Sequence, residues 1–153
     1  MKKEKQNEMQ LTLDSRSVNE GFARAAVAAF SAQLDPTIEE CNDIKTMVSE
    51  AVTNCIVHAY PDTCGKIHIL CRIYTGGLLE ITVRDRGIGI TDVGQAREPL
   101  FTTGGSDRAG MGFTIMESFS DGFRVTSRPG KGTSVTMRKL IAPRLRGNRA
   151  AAV

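Results

Sequence analysis

Two acidic residues stand where a carboxylate needs a reason to be. Asp85 closes an alternating apolar run, Leu79, Ile81 and Val83, so the parity predicts that it points to the buried face at a strand end. A buried carboxylate is expensive to keep ionised without a donor, and the exocyclic amine of a purine would supply one. In Asp85-Arg86-Gly87-Ile88-Gly89 the two glycines would let backbone approach a flat base. Taken alone, the segment equally suits a surface turn with a solvated Asp. The second carboxylate, Glu50, shares a helix face with Asn54 at i and i+4, inside the largely apolar stretch 47–57. That pairing suits a proton acceptor beside a Mg2+ ligand, with a solvated polar stripe as the plain alternative. His58 extends the same stripe by one turn and could instead serve the helix end.

Two further glycine pairs follow. Gly110-Met111-Gly112 sits where a loop enters a helix, so free backbone N–H groups there could receive phosphate, and Arg108 just before it could pair with a terminal phosphate. Gly130-Lys131-Gly132-Thr133 is most simply a hairpin turn, one that could bring Thr133 near Asp85. The Walker A pattern G-x4-G-K-[ST] is absent.

The elements that must position these residues can be read in order. Met9, Leu11 and Leu13 alternate as a short half-buried strand. Ser17-Val18-Asn19-Glu20 reads as a capping box opening a helix to about Gln33, with Val18, Phe22, Ala25, Ala26 and Ala29 as its apolar face. Asp35 as N-cap and Pro36 at the first helical position open a second helix to about Ala59, ended by Pro61. Its apolar set is Ile44, Met47, Val48, Ala51, Val52, Cys55 and Ile56. Ile67, Ile69, Cys71 and Ile73 mark the next strand, and Leu79 to Asp85 the one after it. A polar loop over 86–109, a helix over 112–120, a strand with Phe123, Val125 and Ser127, and a last strand over 134–137 complete the chain.

Composition bounds the function. The 153 residues are 41% hydrophobic and 24% charged, which suits one globular domain. No apolar run is long enough for a membrane span, and the N-terminus lacks a signal-peptide apolar region, so a cytoplasmic protein without membrane contact is expected. The net charge of +3 divides unevenly: residues 138–153 hold five basic residues and no acid, whereas 11–137 carry 12 basic against 15 acidic. The tail is expected to be a disordered basic segment, and the acidic body, poor in aromatics, argues against direct nucleic-acid binding. Cys64, His68 and Cys71 lack a fourth ligand and split across strand faces, so free thiols are expected. Ten of the 15 glycines fall between Gly87 and Gly132, across the proposed base pocket, lid and phosphate loop.

In this order, Glu-x3-Asn, Asp-x-Gly-x-Gly, Gly-x-Gly and Gly-x-Gly-Thr, the motifs resemble the ATP-binding fold of the GHKL (Bergerat) superfamily, over roughly residues 37–137. The chain has no room for the further domains of gyrase, Hsp90 or MutL, and no helical hairpin carrying a phosphoacceptor histidine. It looks like the anti-sigma factor serine kinases. Residues 19–24, 33–37, 48–54, 98–103 and 110–117 are similar to the sporulation anti-sigma F family, with Thr103-Gly104-Gly105-Ser106 departing from the lysine expected after the paired threonines.

The resemblance implies an α+β, two-layer sandwich with a mixed, mostly antiparallel sheet and helices on one face. Residues 1–137 would form one ATP-binding kinase domain, with 9–34 contacting partners or a second copy and 91–109 as the ATP lid. It implies inhibition of the sporulation sigma F factor and phosphorylation of a serine on an anti-anti-sigma factor, with ATP or ADP and Mg2+ as cofactors. Glu50 would be the base, Asn54 the Mg2+ holder and Arg108 the group that stabilises transferred charge. Asp85, Gly87, Gly89 and Thr133 would hold the base, while His58, Thr102, Thr103, Gly110, Met111 and Gly112 would complete the nucleotide contacts. Glu20 and Arg24 would recognise partners, and the first strand would offer an edge for a homodimer. A non-catalytic ATP-dependent binding module and a histidine-kinase catalytic fragment are the competing classes.

Overall fold

The computed structural model describes residues 2–98 and 111–141. Thr102, Thr103, Arg108 and Gly110, most of the expected lid, and the basic segment from 142 onward lie outside the described residues.

Five strands form one sheet: β1 (Lys5–Asp14), β2 (Lys66–Tyr74), β3 (Leu78–Asp85), β4 (Gly122–Arg128) and β5 (Gly132–Leu140), in the order β1-β2-β3-β5-β4. All four ladders are antiparallel. Helices α1 (Val18–Ser31), α2 (Ile38–Asn54) and α4 (Gly112–Phe119) cover one face, and a one-turn α3 (Val93–Ala96) lies in the loop after β3. The expected α+β two-layer architecture is present.

The strand alternation predicts the core well. Ile67, Ile69, Cys71 and Ile73 of β2 and Leu79, Ile81 and Val83 of β3 are buried against Ile44, Met47, Val48, Ala51 and Val52 of α2. The opposite sheet face is polar: Arg72 donates to Glu8 at 2.7 Å, and Arg138 to Glu80 at 2.8 Å. The last strand runs three residues past Met137, and Ile141 beyond it is still buried.

The first helix turns differently from its sequence pattern. Its core stripe is Ala23, Val27 and Ser31, while Val18 is 76% and Phe22 55% exposed. Small residues at i, i+4 and i+8 let α1 lie close to α2, and the Ser31 hydroxyl is satisfied by donating to the Val27 carbonyl at 2.7 Å. The capping box at Ser17 does not form: Ser17 is helical in φ/ψ, its side chain makes no cap hydrogen bond, and Glu20 pairs with Arg24 instead.

Nor does Asp35 cap the second helix. Asp35 is left-handed at φ 54° and ends a short 3-10 turn, and the N-cap is Thr37. Its hydroxyl accepts from the Glu40 N–H at 3.0 Å while the Glu40 carboxylate accepts from the Thr37 N–H at 2.9 Å. The far end of this helix widens into a π-helical turn, Cys55–Ala59, closed by the Tyr60 N–H donating to the Cys55 carbonyl at 3.2 Å. Such turns re-aim side chains and often occur at functional sites.

Candidate nucleotide-binding site

A cavity of about 360 Å³ lies between the end of α2, the π-helical turn, the end of β3, α3 and the start of α4. Its apolar walls include Ala51, Val83, Ile88, Ile90, Phe113 and Val135. Among the residues singled out in the sequence, Asn54, His58, Asp85, Gly89, Gly112 and Thr133 line it. Glu50 is half-buried one turn before Asn54 on α2 and does not line the cavity, and neither do Gly87 and Met111.

Asp85 sits as its strand parity requires, buried at the end of β3 with 6% of its surface exposed. Its Oδ1 accepts the backbone N–H groups of Gly87 at 2.9 Å and Thr133 at 3.2 Å. Among the described residues Oδ2 has one partner, the Cys55 thiol, which donates at 3.5 Å. Burial raises the Asp85 carboxyl above the usual carboxylate range, an effect the hydrogen bonds from Gly87, Cys55 and Thr133 oppose. Burial and the neighbouring carboxylate push the Cys55 thiol well up, so it is a neutral donor. A carboxylate oxygen with one weak donor, in a cavity lined largely by apolar side chains, suits a purine bearing an exocyclic amine.

The glycines here serve the protein's own backbone first. A Cβ on Gly87 would meet the Ala59 carbonyl oxygen at 2.2 Å, where the strand end packs on the π-helical turn. Gly89, at φ 76°, faces the Arg128 carbonyl oxygen, which an added Cβ would meet at 2.1 Å. These approaches draw the loop after β3 onto the β4–β5 hairpin, and the Gly130 N–H completes the join by donating to the Ile88 carbonyl at 2.6 Å.

Two contributors escape motif reading. Ser127 accepts from the Ile90 N–H at 2.8 Å and lies 2.8 Å from the Thr133 hydroxyl, tying the cavity wall to the hairpin. Its sequence signal is a hydroxyl at an inward position after Phe123 and Val125. Cys55 was visible only as a member of an apolar helix face, because the π-helical turn brings it to Asp85. Where α4 opens on the cavity, its N-cap residue Met111 makes no side-chain cap hydrogen bond among the described residues, which suits an anion at the helix start. Arg97, just after α3, pairs with Glu117 of α4 and stacks 4.9 Å over the Phe123 ring. Glu20 and Arg24 lie 3.3 Å apart on α1, where Arg24 also reaches the Ser49 hydroxyl of α2 at 3.5 Å, and neither lines the cavity.

No described helix is long and apolar enough to cross a membrane. Residues 11–139 match the family described as "Histidine kinase-like ATPase domain". The chain is 53% identical over 137 residues to a protein named anti-sigma F factor from Geobacillus thermodenitrificans, covering 89% of this chain and 94% of that one. It is 57% identical over 136 residues to an anti-sigma F factor from Thermoanaerobacter sp., covering 88% and 94%. Among solved structures, the RsbU and RsbW domains of Rv1364c from Mycobacterium tuberculosis share the fold at a TM-score of 0.64 and 19% identity, over 89% of this chain and 32% of that one. The mycobacterial sensor histidine kinase MprB does so at 0.55 and 14%, over 89% and 100%. The match to the ATPase domain over residues 11–139, together with relatives more than half identical along nearly their whole length, places the chain in the anti-sigma F factor family, built on the histidine kinase-like ATPase domain.

Proposed function

We propose that this chain captures the sporulation sigma F factor and, using Mg-ATP, phosphorylates a serine on an anti-anti-sigma factor in the cytoplasm. The observation that carries the reading is the buried Asp85 carboxylate with Oδ2 held only by a thiol among the described residues, in a chain 53–57% identical to anti-sigma F factors.

Asp85 would receive the adenine amine, with Gly89 and Thr133 beside the base and Gly87 holding the loop that carries Gly89. The N–H groups at Gly112 and the start of α4 would take phosphate, with Met111, Gly110, Thr102, Thr103 and Arg108 completing that end and His58 lining the wall. The serine oxygen bonds to the γ-phosphorus as the bond to the β–γ bridging oxygen breaks, ADP leaves, and Glu50 takes the serine proton. Bound Mg2+ would neutralise phosphate charge, and Asn54 on the cavity wall would hold it. The place of Glu50 off the cavity lining suits work on an arriving protein hydroxyl rather than on the base.

The exposed Val18 and Phe22 beside the Glu20–Arg24 pair support a partner surface on α1. The edge position of β1 supports pairing of two copies. Size-exclusion chromatography of the full chain with sigma F tests the capture step. A co-migrating complex in the presence of ATP is expected, and two separate peaks at micromolar protein would reject it.

A further inference from the structure

The open face of the sheet is divided electrically. On the β1–β2 side its charges cancel, Glu8 with Arg72 and Asp14 with Lys66. Among the residues of β3, β5 and β4 that share this face only Glu80 is acidic, and Arg138 is committed to it; Asp121, just before β4, is held by the Leu140 N–H. Arg84, Arg86, Arg124, Arg128 and Lys131 remain, all exposed, and among the described residues none of them makes an ion pair. A body with a net acidic charge thus concentrates five uncommitted cations on one end of one face.

Register makes this a compact patch. Arg84, Ser134 and Thr126 form one row across three adjacent strands, and Arg124 and Arg128 flank that row along β4. The patch therefore spans about 10 Å across the strands and about 14 Å along them. Arg84, Arg86, Arg128 and Lys131 surround an open concavity floored by the Ser134 and Thr126 row. It lies behind the Asp85–Thr133 contact, on the opposite side of the sheet from the nucleotide cavity and away from α1.

We infer that this basic end of the sheet docks a short acidic segment of a partner protein. Guanidinium forks take carboxylates in pairs, and the strand hydroxyls between them can donate to further carboxylate oxygens. Beyond the patch the charges on this face are balanced pairs, Glu80 with Arg138, Glu8 with Arg72 and Asp14 with Lys66, so the uncommitted positive charge ends at its edge and offers a continuing phosphate backbone no track. Among the described residues the concavity also has no aromatic side chain on which a base could stack. A few spaced carboxylates match its size and charge, whereas a long polyanion does not.

Fluorescence anisotropy of the full chain with a labelled peptide of about 12 residues, alternating Glu and Ser, tests this, with a DNA duplex of equal charge as the rival probe. Saturable peptide binding that weakens between about 50 and 200 mM salt is expected. The double variant Arg84→Glu/Arg128→Glu should weaken it by about 10-fold or more, and Arg84→Gln/Arg128→Gln by about 3-fold. Both variants should keep wild-type ATP affinity, which shows that they fold. Unchanged peptide affinity in the folded Gln variant, or duplex DNA binding as tightly as the peptide, would overturn the inference.

Discussion

The Cys55 thiol lies 3.5 Å from Asp85 Oδ2, so the carboxylate at the end of β3 is held on one oxygen by backbone and on the other by a weak sulfur donor. The arrangement leaves that oxygen able to accept a better donor from the cavity. It also leaves a buried charge that the protein alone stabilises poorly.

Asp85→Asn should therefore separate function from stability. Oδ1 of the asparagine can keep both backbone N–H donors, while the charge and the second acceptor are lost. ATP binding by calorimetry should become undetectable, and the Tm of the nucleotide-free protein at neutral pH should rise by about 2–4 °C. The sign with pH follows from the raised carboxyl: its burial cost is fully present above the folded pKa and absent below the ordinary value of 3.8. The Tm advantage of the variant should shrink as pH falls through the folded pKa. An advantage that grows on acidification would contradict this.

Glu50→Ala should lower phosphorylation by about 10²-fold or more while nucleotide still binds, because the lost group takes a proton and does not line the cavity. Near-normal turnover in a single-cycle assay would remove Glu50 from its proposed role.

Asn54→Ala should lose the Mg2+-dependent part of ATP affinity. Calorimetry with and without Mg2+ reads this directly, and equal affinities in variant and wild type would show that Asn54 holds no ion.

The conformation of the loop after β3 is open to test by Gly89→Ala. The positive φ and the 2.1 Å approach to the Arg128 carbonyl oxygen leave no room for a Cβ. A loss of about 1–3 kcal/mol is expected, seen as a Tm lower by about 2–12 °C. An unchanged Tm would mean that the loop does not need this close approach.

What could be read from sequence followed from period and parity. Alternation in residues 67–73 and 79–85 placed both central strands and aimed Asp85 inward, because one face of that sheet is uniformly buried. The face of α1 was misread for the converse reason. Helical periodicity finds an apolar stripe but not what covers it, and the covered stripe here is the small one with Ser31. The caps expected at Ser17 and Asp35 do not form: Glu20 pairs with Arg24, and the second helix is opened by a capping box of Thr37 and Glu40. The π-helical turn had no local signal. It is a tertiary outcome, fixed where Ala59 packs on Gly87, and with it went the placement of Cys55.

The central claim is most directly tested by incubating the full chain with γ-labelled ATP, Mg2+ and the anti-anti-sigma protein, then locating the label. The account predicts label on a serine of the anti-anti-sigma protein, lost in the Asp85→Asn and Glu50→Ala variants. Label on a histidine of this chain, or none on the partner while the chain still binds ATP and sigma F, would contradict it.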